Sequence, residues 1–185
     1  MRQLHPTVTV ALLAVLLAPP TAGAVTPDEH LAPLAPFVGK TWRGEFVDST
    51  PEHPRVDVQR WEWALAGQGI RIVHSLNDGE YGGETMVMYD RERERLIYFY
   101  FTTAGFYTTG TIVADDGMFV SHEEVVGSAE GVNAVRSTSR ILDDGRLETH
   151  SEYLKNGEWV PGHGVVYEED PTAEVVFPPV ETGGD

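Results

Sequence analysis

Between residues 37 and 169, apolar and polar positions alternate with a period of two, interrupted at near-regular intervals by turn residues. A two-residue period sends successive side chains to opposite faces of a strand. The alternation predicts strands over 37–46, 55–65, 68–76, 83–90, 118–126, 132–142, 146–155 and 158–168. A further pair lies within 95–113, joined at Thr103-Ala104-Gly105. Several of the breaks are Asp-Gly or Asn-Gly turns: Asn77-Asp78-Gly79, Asp115-Asp116-Gly117, Asp143-Asp144-Gly145 and Asn156-Gly157. These residues accept the positive φ of tight hairpins. About ten strands, each one hairpin from the next, predict an all-β fold. Closing them into a single up-and-down antiparallel β-barrel hides the edges and buries one face. A two-sheet sandwich is the alternative, but it usually needs longer Greek-key crossovers.

Flanking segments are less regular. Residues 25–36 read as a linker with a short helical turn near 28–34, which Pro33 and Pro36 keep short. Residues 37–169 are the barrel, and 170–185 an extended or disordered tail with Pro171, Pro178 and Pro179. Within the tail, Val175-Val176-Phe177 is apolar enough to pack on the barrel wall. The segment 96–103 is apolar on both faces: Leu96, Tyr98, Tyr100 and Thr102 on one, Ile97, Phe99, Phe101 and Thr103 on the other. One face belongs to the core. The other asks for a loop, a terminal segment or a second subunit, so a homodimer through 96–103 is one expectation.

Residues 1–24 read as a secretory signal peptide. Arg2 supplies the charge, Val8 to Ala18 the apolar stretch and Ala22-Gly23-Ala24 the small-residue cleavage site. The apolar run is shorter than the roughly 20 residues a membrane span needs. The expectation is therefore a periplasmic or secreted protein, not inserted in a membrane after cleavage. The sequence has no Cys, which excludes disulfides, thiolate metal sites and a lipid-modified cysteine. Formal charge is −16, and losing Arg2 with the leader takes it to −17. Such an acidic chain is a poor partner for nucleic acid. Solubility explains the charge; a cationic ligand or partner is the sharper alternative.

Chemistry is sparse. Gly-x-Ser-x-Gly, P-loop and dinucleotide glycine patterns are absent, and no catalytic residue is assigned. No His pair stands at metal-ligand spacing, so neither a metal nor a cofactor is expected; haem or a metal is the alternative. His30 and His53 fall in the leader-proximal linker and a Pro-rich loop, where exposure is expected. His74 shares a face with Ile70, Ile72 and Leu76, which aims it inward. Ligand pockets are mainly apolar and aromatic with a few placed polar groups. On that basis Trp63, His74, Met88, Tyr98, Tyr100, His122 and His150 are the candidate lining of an interior site for a small apolar or amphipathic molecule. Two other functions stay open. A hydrolase- or isomerase-type enzyme would gather His74 with His122 or His150 and a carboxylate, with Glu62 or Glu84 as candidate bases. An envelope interaction module would use the doubly apolar strand.

Three short motifs carry a resemblance. They are Gly39-Lys40-Thr41-Trp42-Arg43-Gly44, the segment 82–90 (Gly-Gly-Glu-Thr-Met-Val-Met-Tyr-Asp), and the hairpin 100–107 (Tyr-Phe-Thr-Thr-Ala-Gly-Phe-Tyr). Together with the strand layout, the chain resembles the calycin superfamily of lipocalins, fatty-acid-binding proteins and nitrobindin-like barrels, and exported bacterial domains of lipocalin-like type above all. The resemblance implies a barrel plugged at one end by Trp42 and open to a ligand at the other. The nitrobindin-like members bind haem through a His near the chain end, for which His163 is the counterpart. Two residues separate Gly39 from Trp42 where those families carry Gly-x-Trp, and Phe46 stands where nitrobindin-like proteins place a small residue.

Overall fold

The computed structural model describes residues 24–115, 117–127 and 131–180. The segment read as a signal peptide lies outside them, except for Ala24. Ten antiparallel strands close into one barrel: β1 (Thr41–Phe46), β2 (Val56–Ala64), β3 (Gly69–Leu76), β4 (Tyr81–Asp90), β5 (Arg95–Thr102), β6 (Tyr107–Asp115), β7 (Met118–Val126), β8 (Val132–Ile141), β9 (Leu147–Lys155) and β10 (Glu158–Glu169). Each strand pairs with its sequence neighbour, and β1 closes the ring on β10. The barrel is thus the observed architecture, not the sandwich. Asn156 and Gly157 turn between β9 and β10 at φ 53° and 84°, the left-handed geometry that matches a hairpin's twist.

A 3-10 helix, Glu29–Phe37, precedes β1 and runs longer than the sequence suggests, despite Pro33 and Pro36. Three residues per turn stack positions i and i+3 in line. Leu31, Leu34 and Phe37 therefore fall on one edge, and all three are fully buried across one end of the barrel, here called the floor. Asp28 caps the helix by accepting from the His30 amide at 3.0 Å and pairs with Arg91 at 2.7 Å. His30 is not free in solvent as expected: its ring stacks on Tyr89 at 3.6 Å.

The floor is apolar. Trp42 is wholly buried and donates its indole N–H to the Phe37 carbonyl at 3.4 Å. Phe37 packs edge-on to Phe119 and tilted against Trp61, with centroids 5.3 and 5.2 Å away. Ile70, Val87, Leu96, Ile112 and Leu147 complete this cluster. The opposite half differs. Ile72, Thr85, Ser121, Ser137 and Thr149 point inward by register yet keep part of their surface accessible. The upper half is therefore a hollow open to water, a cup standing on a packed floor.

The tail lies along the outer wall, but not on the aromatic strand. The Val176 amide donates to Ser75 Oγ at 3.0 Å, and Phe177 packs by Gly82, so the tail covers the upper ends of β3 and β4. On β5, Phe99 and Phe101 stay 44% and 55% exposed, stacked on each other at 6.5 Å.

Candidate functional site

Three rows of side chains build the cup, each spanning a glycine on the middle strand. Gly44 on β1 lies between Tyr167 on β10 and Asp57 on β2. Gly110 on β6 lies between Tyr98 on β5 and Glu123 on β7. Gly83 on β4 faces His74 on β3, and the Tyr100 ring of β5 leans over it. Cross-strand neighbours sit about 5 Å apart, so residues two strands away normally cannot touch past an intervening side chain. Glycine removes that obstacle. A Cβ at Gly44 would come to 2.8 Å from the Tyr167 ring, and one at Gly110 to 2.5 Å from the Tyr98 ring. The gaps let each tyrosine lie against the wall and reach the next strand but one.

The bonds made across the gaps form two networks. In the first, the Tyr167 hydroxyl donates to Asp57 Oδ2 at 3.0 Å, and Asp57 Oδ1 lies 2.7 Å from His74 Nδ1. His74 Nε2 is 2.7 Å from the Tyr100 hydroxyl, itself 2.9 Å from the Tyr81 hydroxyl. Asp57 is an acceptor, so it fixes a proton on Nδ1 of His74. In the second network, Glu123 Oε2 accepts from Thr108 Oγ1 at 2.6 Å and from the Tyr98 hydroxyl at 3.2 Å. Burial pushes the Glu123 carboxyl above its ordinary range, and the two hydroxyls only partly offset it. Burial likewise raises the Tyr98, Tyr100 and Tyr167 phenols, keeping them neutral donors.

His163 adds a third group. Two residues of β10, Gly162 and His163, lie opposite one of β9, Ser151, a β-bulge that reverses the alternation. The reversal turns His163 inward, where Nδ1 meets the Tyr153 hydroxyl at 2.5 Å and Nε2 meets Ser151 Oγ at 3.2 Å. Burial lowers its pKa below the usual imidazole value. Both ring nitrogens are therefore engaged. An axial haem ligand needs one of them free, so this arrangement does not fit the haem role that the calycin resemblance implies. Among the described residues, no group of three or more His, Asp or Glu is placed to hold a metal ion.

The predicted lining divides. His74, Tyr98 and Tyr100 point into the cup, and Trp42 is part of the floor. Trp63 shares Trp61's face but stands 39% exposed near the end of β2, on the floor side; Trp61 is the buried one. Met88 points outward, 38% exposed, because Val87 takes the inner face. His122 is exposed on the outer wall, since its neighbour Glu123 faces in. There it lines an open groove of about 520 Å³ with Ile97, Phe99 and Trp159. His150 is outward too, 3.3 Å from Glu148. The expected clustering of His74 with His122 or His150 does not occur. Glu62 and Glu84 are also outside, both bound to Arg71. Sequence reading missed Asp57, Tyr81, Glu123, Tyr153 and Tyr167. Alternation could have found Glu123, since choosing His122 for the interior excluded it by one residue.

Comparison with known proteins gives the fold alone. The crystal structure of Rv2717c from M. tuberculosis superposes with a TM-score of 0.59 at 13% identity, covering 78% of this chain and 99% of that one. No family model and no curated protein sequence matches.

Proposed function

We propose that the protein is a calycin-like barrel that binds a small amphipathic molecule in its cup, outside the cytoplasm. One observation carries the reading. The same barrel is packed solid at the floor and partly accessible above it, where Tyr81, Tyr100, Tyr153, His74 and Glu123 point inward. Tyrosines offer an apolar face with a polar handle, and concave sites with a few placed polar groups are where small ligands bind. The hydroxyl-rich lining favours an amphipathic ligand over a purely apolar one. The leader-like residues 1–24 support export.

Native mass spectrometry of protein purified from an envelope fraction tests this. The expected result is an adduct that leaves on denaturation and is absent from Thr85→Trp, which fills the cup from an inward position on β4. An adduct that persists in Thr85→Trp places the ligand elsewhere.

The Asp57–His74 pair favours a second reading. An imidazole oriented by a carboxylate is a general-base arrangement, and with Nε2 against the Tyr100 hydroxyl it would draw a ligand's proton through that phenol. Turnover lost in His74→Gln with the adduct retained is its signature.

A further inference from the structure

Glu123 has no cationic partner. Its bonds are to two hydroxyls, and among the described residues it forms no ion pair, while Asp57 is matched by His74. Buried carboxylates are ordinarily paired with a cation or several N–H donors. The basic side chains nearby are used elsewhere. Arg71 is taken by Glu62 and Glu84 on the outer wall, Arg136 by Glu152, and Arg140 by Glu148. At the mouth, Arg55 is held by Asp48 and stacked on Phe46, and Lys155 lies 5.7 Å from the centre of the Tyr153 ring.

The surroundings of Glu123 are aromatic. Tyr98 and Tyr100 lie over Gly110 and Gly83, with Tyr98 buried beneath the cup and Tyr100 partly accessible within it. Ring faces are negative, and Glu123 beside them adds a full charge when it ionises. A hollow with this lining, with Arg55 paired to Asp48 and Lys155 set over the Tyr153 ring, favours a cation over an anion. We propose that the cup takes a small organic cation, an aromatic or alkyl amine, whose ammonium group docks on Glu123 beside Tyr98 and Thr108. This rests on the cup reading and names its ligand class. The ammonium supplies the partner that the carboxylate lacks, and the ring faces receive its flanking carbons. The formal charge of −16 steers such a ligand toward the protein at low salt.

Isothermal titration calorimetry with three probes of one shape tests the proposal: 2-phenylethylamine, 2-phenylethanol and 3-phenylpropionate. The mature chain and Glu123→Gln are compared, with His150→Gln on the outer wall as control. The expected result is an amine preference of at least about tenfold over the alcohol, consistent with a charge-assisted contact worth more than a neutral one. The acid gives no heat. Glu123→Gln abolishes the preference by weakening the amine more than the alcohol; His150→Gln changes nothing. Equal affinity for amine and alcohol, or tighter binding of the acid, overturns the cation proposal and leaves the cup reading standing. Silence from all three probes also overturns it, and the adduct experiment then judges the cup by itself. The wild-type preference is read without any variant, so a Glu123→Gln protein that failed to fold would not remove the test.

Discussion

The floor and the cup are made from the same ten strands and the same alternation, yet they solve opposite problems. On the floor, inward positions are large and apolar: Trp42, Trp61, Ile70, Val87, Leu96, Phe119 and Leu147 interlock beneath Phe37. These side chains are all buried, which keeps water from the floor. In the cup, Gly44, Gly83 and Gly110 leave gaps, and tyrosines lie across them to reach Asp57, His74 and Glu123. Interdigitated side chains gain dispersion and hydrophobic burial. Gapped rows give up packing and gain a polar surface with open space above it. Stability is thus concentrated at one end of the barrel and binding chemistry at the other.

Truncating the floor is the strongest way to test this division. Trp42→Ala removes the largest fully buried side chain and should cost about 3–5 kcal/mol, the usual range for Trp or Phe to Ala in a core. Chemical denaturation measures it. A loss under about 1 kcal/mol would show that the floor does not hold the barrel together. The glycine gaps come next. Gly110→Ala drives a methyl into the Tyr98 ring and should cost about 1–3 kcal/mol by overpacking. Adding Tyr98→Ala vacates the ring's share of that space but not the His122 carbonyl's, so the double variant should lose less than the sum of the singles without full recovery. Strict additivity would mean the glycine serves some purpose other than room for the ring.

Titration of the cup separates its two buried groups by sign. Burial depresses the folded pKa of His163 below the ordinary 6.5. Its neutral form is favoured in the fold, so its contribution is present above about pH 6.5 and lost as pH falls through the folded value. Glu123 behaves oppositely. Its folded pKa is raised above 4.5, so its contribution is present below that value and lost as pH rises through the folded one. The groups facing Glu123 are Tyr98 from β5 and Thr108 from β6, both neutral. Melting temperature against pH should therefore lose part of its acid-side fall in His163→Phe and the fall that follows Glu123 ionisation above pH 4.5 in Glu123→Gln. Identical curves for wild type and Glu123→Gln would mean the carboxyl is not desolvated.

The smallest effect belongs to the outer wall. Arg71 bridges Glu62 and Glu84 at 2.7 and 2.8 Å but is about a third exposed. Arg71→Ala should cost about 0–1 kcal/mol, fading in high salt. A loss as large as that of Gly110→Ala would erase the contrast between wall and cup.

Much of the barrel was legible along the chain because hairpins are local. Asn77-Asp78-Gly79 and Asn156-Gly157 announce their turns, and β7 begins and ends where the alternation does. The interior was less legible, because β4 and β5 are apolar on both faces. Met86 and Met88 offer as good an inner face as Val87, and only the register decides. A choice wrong by one residue exchanges Glu123 for His122. The 3-10 helix was visible as a turn, but its three-residue stacking of Leu31, Leu34 and Phe37 shows only once the barrel end beneath it exists.

By itself, then, the sequence determined ten strands and their order, since turn chemistry and alternation act between neighbours along the chain. The tertiary structure alone decided the site. Tyr167 and Asp57 are 110 residues apart and meet only because β1 closes the ring between β10 and β2. His163 faces inward only because a bulge shifts its register. A glycine becomes a gap for a tyrosine only when cross-strand pairing sets the two side by side, and pairing is a property of the closed sheet, not of any segment.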